Sequence, residues 1–201
     1  MRTLPIALIL ALSTAAHATD PAMTPAERAH VIKLLEDSRA ECLSYIENLS
    51  PAQWAWKAAP ERWSVGETAE HILLAEGLIF AQVRRALASP VNPDWETKTA
   101  GKTEFIERAM LDRSHKATAP EQIRPQGIAQ DEVIRRFKDA RAKTIEFART
   151  TQAPMKDHTA ENPFPAFNTL NAYQWLIYIP MHNLRHDLQI AEVKASPGYP
   201  K

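Results

Sequence analysis

Two short stretches, "TPAE" at Thr24 to Glu27 and "SVGE" at Ser64 to Glu67, each open a long segment rich in Ala, Glu, Arg and Leu. In both, a hydroxyl residue precedes a glutamate by three positions. Each side chain can then accept from the other's backbone N–H, which marks the start of a helix. Pro25 stands at the first helical position, where its missing N–H costs nothing. Helix one is therefore expected from Pro25 to about Asn48, and helix two from Val65 to about Ala88. Apolar positions including Val133, Phe137 and Ile145 carry a third helix from Asp131 to Thr150, and a fourth is expected from Leu170 to Lys194. Pro180 falls inside the fourth pattern and is expected to kink it or reset its start, because its ring removes a backbone donor.

The connections are proline-rich, and the chain has only five glycines against fifteen prolines, which favours helices over a β architecture. Ser89 to Gln130 is rich in Pro, Thr, Lys and Asp, with one short helical stretch, "KTEFIERAML". A connection of that length reads as a crossover lying over the bundle. The stretch "LSPAQWAWKAAPERW" reads as irregular, its Trp54, Trp56 and Trp63 either packing the end of the bundle or lining a substrate wall. The fold class is all-α, a four-helix bundle with a long crossover connection between helices two and three. Such bundles build metal and cofactor sites from side chains on facing helices.

The first eighteen residues, "MRTLPIALILALSTAAHA", combine a basic start, a short apolar run and small residues at Ala16 and Ala18. They read as a signal peptide spanning 1–18 that is removed, leaving 19–201 as a single domain and a periplasmic or secreted, soluble mature protein. The apolar run is too short to anchor the chain in a bilayer, and no later stretch reaches about eighteen uninterrupted apolar residues, so no membrane partner is expected for the mature form. Twenty-four Lys and Arg balance twenty-four Asp and Glu, so no strong field is present to attract nucleic acid. Cys42 is the only cysteine, which rules out an internal disulfide and suits a small buried residue on helix one. The chain contains no glycine-rich phosphate loop, nucleophile elbow or paired-cysteine motif, which removes nucleotide binding and serine or cysteine hydrolysis.

What remains is histidine chemistry. In "YIPMHNLRHDLQI", His182 and His186 are one helical turn apart and project from one face. At about 100° per residue they fall at the centre of the stripe formed by Trp175, Ile179, Ile190 and Val193, facing the core. The spacing alone leaves two readings open, a hydrogen-bonded core pair or a pair of metal ligands. His71 on helix two lies roughly 130° from the centre of the Val65, Ala69, Ile72, Val83 stripe, so periodicity places it on a partly exposed flank. Glu67, one turn earlier, either completes the capping box or orients that imidazole. Tyr178 and Arg185 are the candidate catalytic residues. Tyr178 can donate a hydrogen bond to a bound substrate or stand as a core tyrosine with its hydroxyl at the surface. Arg185 can take a carboxylate or phosphate or form an exposed salt bridge. Asn183 and Asp187 project away from the stripe, towards solvent. His30 lies on a polar helix face and His115 and His158 lie in loops, outside the site.

The stretch "LSPAQWAWKAAPERWSVGETAEHILLAE", followed about 110 residues later by "HNLRHDLQIAEVKASPGYP", resembles the DinB-like superfamily of DNA-damage-inducible and thiol-transferase-like proteins. The shared pattern is P-x-x-W-S opening helix two, a histidine seven residues after the serine, and a terminal H-x-x-x-H helix running into a proline-glycine tail. The resemblance implies a DinB-like bundle with a divalent metal ion held by His71, His182 and His186. Three neutral imidazoles suit zinc or nickel and leave positions for water or a small-molecule substrate. Some members look like metal-dependent hydrolases; others look like thiol-dependent S-transferases, in which the ion holds a thiol as thiolate. Low-molecular-weight thiols are mostly cytosolic, so the expected export favours hydrolysis over transfer. A non-catalytic metal- or ligand-binding module is the further alternative. Members often pair as homodimers, although no exposed apolar face in this sequence requires it.

Overall fold

The structure, a computed structural model, describes residues 20–114 and 118–201. The expected leader at 1–18 and His115 lie outside the described residues. The helices are α1 (Pro25–Ile46), α2 (Pro51–Ala55), α3 (Val65–Leu87), α4 (Trp95–Thr99), α5 (Lys102–Leu111), α6 (Gln130–Thr150) and α7 (Ala172–Ala195). A 3-10 turn spans Glu121–Ile123, and strands β1 (Thr159–Glu161) and β2 (Thr169–Asn171) precede α7.

Both expected capping boxes form, Thr24 with Glu27 and Ser64 with Glu67. Two more appear: Ser50 with Gln53 starts α2 inside the stretch read as irregular, and Asn171 with Gln174 starts α7. The fourth long helix therefore begins at its Asn171 cap and is not reset by Pro180, through which α7 runs unbroken. Ala172 to Met181 are all buried, so packing on every side sustains the turn that has lost one backbone bond. The segment before α7 is more ordered than a loop. β1 and β2 form an antiparallel hairpin pairing Thr159 with Asn171 and Glu161 with Thr169, which fixes where α7 starts.

The long helices α1, α3, α6 and α7 make the bundle, with α7 and α6 each packed against both α1 and α3. Glu76 meets Arg141 and Phe80 meets Phe147, so α3 and α6 run in the same direction. Thr68 pairs with Gln189 and His71 with His186, so α3 and α7 run in opposite directions. Parallel neighbours cannot be joined by a short turn. The crossover from α3 to α6 carries the chain back along the bundle, and α5 within it packs on α7. The end of this crossover, from Ala119 to Ile128, passes over α3.

Two apolar blocks fill the interior. One gathers Val31, Leu35, Ile79, Val83 and Leu176; the other gathers Cys42, Ile46, Ile72, Phe137 and Ile190. Between them lies a buried polar layer drawn from all four long helices: Ser38, Glu76, Arg141, Thr144, Asn183 and Asp187. Among the described residues, no helix is long and apolar enough to cross a membrane.

Candidate metal centre

The three candidate histidines converge at the level of this polar layer, in the groove between α3 and α7. One ring nitrogen from each lies within 4.8 Å of the others. Ring centroids are 4.5 Å apart for His71 and His186, 4.5 Å for His182 and His186, and 5.1 Å for His71 and His182. The i, i+4 spacing on α7 supplies two of the rings, and α3, running the other way, brings His71 across from them.

His71 is buried, only 2% exposed, which corrects the partly exposed flank expected from periodicity. A helical wheel registers only the face turned to the bundle, whereas His71 is covered from outside it. Trp63 lies with its ring centroid 4.9 Å away, and the 3-10 turn of the crossover places the Ile123 carbonyl 2.7 Å from Nδ1. Glu70, the preceding residue, pins the same crossover. Its buried carboxylate accepts from the backbone N–H of Gln126 at 2.6 Å, Gly127 at 3.0 Å and Ile128 at 3.2 Å. Glu67 completes the capping box and pairs with Lys57, so the partner of His71 is a carbonyl and not a carboxylate.

His182 and His186 are half-buried, and they line the groove towards α3 instead of pointing into the bundle. The interior positions of α7 at this level belong to Asn183 and Asp187, 1% and 0% exposed, which overturns their expected solvation. One residue is about 100° of helix, and the sequence phase was off by that amount. Because the first half of α7 is apolar on every side, it offers no contrast from which to read the phase.

The hydrogen bonds fix what the nitrogens can do. A carbonyl oxygen accepts only, so His71 carries its proton on Nδ1 and turns a lone pair outward at Nε2. His186 places Nδ1 3.1 Å from Oε1 of Gln189, which likewise assigns its proton to Nδ1 and leaves a lone pair on Nε2. These two Nε2 atoms are 3.2 Å apart. Two lone pairs at that distance call for a positive centre between them, a proton or a cation. Burial works against the proton. It pushes His71 down, drives His182 well down with help from its two histidine neighbours, and takes His186 to about 3, again aided by His71. Three neutral imidazoles, two of them turning their Nε2 lone pairs towards each other, suit a divalent ion. Two nitrogens bound at about 2.0–2.1 Å with near-tetrahedral angles stand about 3.3 Å apart, close to the spacing of this pair.

Tyr178 is 5% exposed and stacks on His182 with the planes 19° apart and the centroids at 6.3 Å. Burial pushes the phenol well up, against a smaller lowering from Asn162, so it stays protonated. Arg185 reaches the carbonyls of Met110 and Asp112 at the end of α5, and its charge also bears on His182 and His186. His30 pairs with Glu107 and His158 with the Ser89 carbonyl, both away from the trio.

Sequence reasoning missed the Ile123 carbonyl, Gln189 and the Glu70 anchor. Only Glu70 had a signal, as a second acidic residue beside His71 that the capping box did not use. Trp54, Trp56 and Trp63 divide the roles expected of them. Trp54 covers Gly66, Trp56 packs edge-on against Tyr199 of the C-terminal tail at 5.5 Å, and Trp63 alone borders the histidines.

The chain is similar to known proteins in fold and in sequence. YfiT from Bacillus subtilis, described as a probable metal-dependent hydrolase with an unusual four-helix bundle topology, matches with a TM-score of 0.60 at 11% identity, covering 89% of this chain and 92% of YfiT. At that identity the likeness speaks to the fold. The uncharacterised protein YuaE of Bacillus subtilis (strain 168) is 25% identical over 169 residues, spanning 81% of this chain and 96% of YuaE. The model of the DinB superfamily matches residues 34–190, most of the chain. A match over that much of its length shows that the chain belongs to the DinB superfamily.

Proposed function

We propose that this is an exported metalloprotein that holds zinc or nickel on His71, His182 and His186 and hydrolyses a small-molecule substrate. The observation that carries the reading is the pair of Nε2 atoms 3.2 Å apart, each turned outward because Nδ1 of its ring is committed to a fixed acceptor. When bound, a divalent ion supplies Lewis acidity and lowers the pKa of water to about 7. The chain's own residues do the rest. Ile123 and Gln189 hold two rings in the ligating tautomer, as hydrogen-bonded outer partners of metal-bound imidazoles do. Trp63 and Tyr178 flank the histidines and limit the approach of water. The Tyr178 phenol, kept protonated by burial, is a hydrogen-bond donor and not a base. Arg185 places positive charge beside the trio, which favours a substrate that develops negative charge on reaction.

Elemental analysis of purified mature protein tests the metal. Wild type is expected to hold one equivalent after supplementation and His182→Ala much less; absence of stoichiometric metal from both discards the site. Incubation with electrophilic substrates, with and without added thiol, tests the reaction. Thiol-independent turnover supports hydrolysis, whereas turnover that requires thiol assigns S-transfer instead.

A further inference from the structure

We infer that Arg141 is a positioning residue for the histidine site: its guanidinium sets the spacing and rotation of the two helices that carry the ligands. This rests on the metal reading above. All three imidazoles come from α3 and α7, so their convergence depends on how those two helices sit against each other. Metal–ligand distances tolerate only about ±0.2 Å.

On the inner side of the α3–α7 interface, opposite the groove, the Arg141 side chain is fully buried. Its Nε donates to both carboxylate oxygens of Glu76 on α3, at 2.9 and 3.0 Å. Nη2 donates to Oδ1 of Asn183 on α7 at 2.9 Å. Nη1 donates to the Leu35 carbonyl at 2.9 Å and to Oγ of Ser38 at 2.6 Å, both on α1. Among the described residues, this is the one side chain bonded to all three of the other long helices. A guanidinium is a rigid planar fork, so its acceptors are held at fixed separations, whereas an apolar layer would let the helices slide.

Sequence adjacency turns that spacing into ligand geometry. Asn183 follows His182, and Asp187 follows His186. The Asn183 side-chain amide donates to Oδ2 of Asp187 at 2.9 Å, so the two form one polar edge along the inner face of α7. Holding this edge against Arg141 turns the preceding residue of each pair, the histidine, about 100° away and into the groove facing His71. Thr144 completes the clamp by donating to Oε1 of Glu76 at 2.9 Å. A buried ion pair is a weak source of stability, and fixing one packing arrangement is its better-attested use.

The test compares wild type with Arg141→Lys, Asn183→Leu and the double variant Arg141→Met/Glu76→Leu. Val31→Ala, in the apolar block of α1, serves as a destabilised control. Zinc affinity by competition titration, the visible spectrum of the cobalt-loaded protein and thermal unfolding of the metal-free protein are measured for each. The clamp variants are expected to bind zinc about 10–100-fold more weakly, with a changed cobalt spectrum. Val31→Ala is expected to melt earlier yet bind as wild type does. If Arg141→Lys does not fold, the double variant decides, since apolar replacement of a buried ion pair usually preserves folding. Affinities within twofold of wild type and an unchanged cobalt spectrum in the folded clamp variants overturn the inference while leaving the metal reading intact. Failure of wild type itself to bind zinc or cobalt overturns the metal reading, and the inference with it.

Discussion

Replacing Glu70 with Gln probes whether the crossover is truly fastened to the helix that carries His71. The carboxylate accepts three backbone N–H groups, Oε1 from Gln126 and Oε2 from Gly127 and Ile128. A glutamine keeps one acceptor oxygen, best used where two donors converge, and turns its NH2 towards the N–H of Gln126. One charge-assisted bond worth about 1.5–3 kcal/mol is then lost, and two others fall to neutral bonds worth about 0.5–1.5 kcal/mol each. Undocking of the segment into water caps the loss, so Glu70→Gln is expected to cost about 2–4 kcal/mol of stability. Denaturant titration of the metal-free protein measures this, and amide exchange locates it. Exchange should quicken at Gln126, Gly127 and Ile128, and metal affinity should fall because the Ile123 carbonyl moves with the segment. A variant with wild-type stability and unchanged exchange at these amides would refute the reasoning.

Two further outcomes follow from named groups. In the metal-free protein His186 is held at about 3, below the ordinary ~6.5, so the unfolded chain binds the extra proton and stability falls as the pH drops through that window. His71 and His182 act in the same direction. Asp187, raised to about 8 by burial and then by Glu41, acts in the opposite sense: its stabilising proton is lost as the pH rises through 8. The metal-free protein should therefore be most stable near pH ~6.5 and lose about 1.5 kcal/mol by pH ~8, a limb that Asp187→Asn removes. Denaturant titrations across pH check this, and a flat or rising profile above neutrality contradicts it. Gly66→Ala should gain about 1 kcal/mol from helix propensity alone. A Cβ there would meet the Trp54 indole at 2.3 Å, and overpacking costs about 1–3 kcal/mol, so a net loss near 1 kcal/mol is expected. A higher melting temperature would show that Trp54 does not pack on α3.

The bundle was legible because its helix starts are written in side-chain chemistry. Two capping boxes fixed the beginnings of α1 and α3, and "KTEFIERAML" became α5 from Lys102 to Leu111. The box at Asn171 and Gln174 is written in the same chemistry, nine residues ahead of the proline that the helix runs through. Helical phase was harder to read where a helix is buried on more than one side. His71 is covered by a 3-10 turn fifty residues away in sequence, and α7 holds polar groups at its innermost positions. The interior layer left one readable trace: Arg141 falls midway between Phe137 and Ile145, in phase with the apolar stripe of α6. A charge in that phase either breaks a core or meets partners on other helices, and here it meets four, spread over α1, α3 and α7. The tautomers of His71 and His186 depend on Ile123 and Gln189; a backbone carbonyl has no identity in a sequence, so that part of the site could only be read in three dimensions.

X-ray absorption at the metal edge of the zinc- or nickel-loaded protein reports directly on what the ion touches. Three imidazole nitrogens at about 2.0–2.1 Å, falling to two in His71→Ala, are the result expected if α3 and α7 build one centre. A first shell without imidazole, or one left unchanged when His71 is removed, would contradict it.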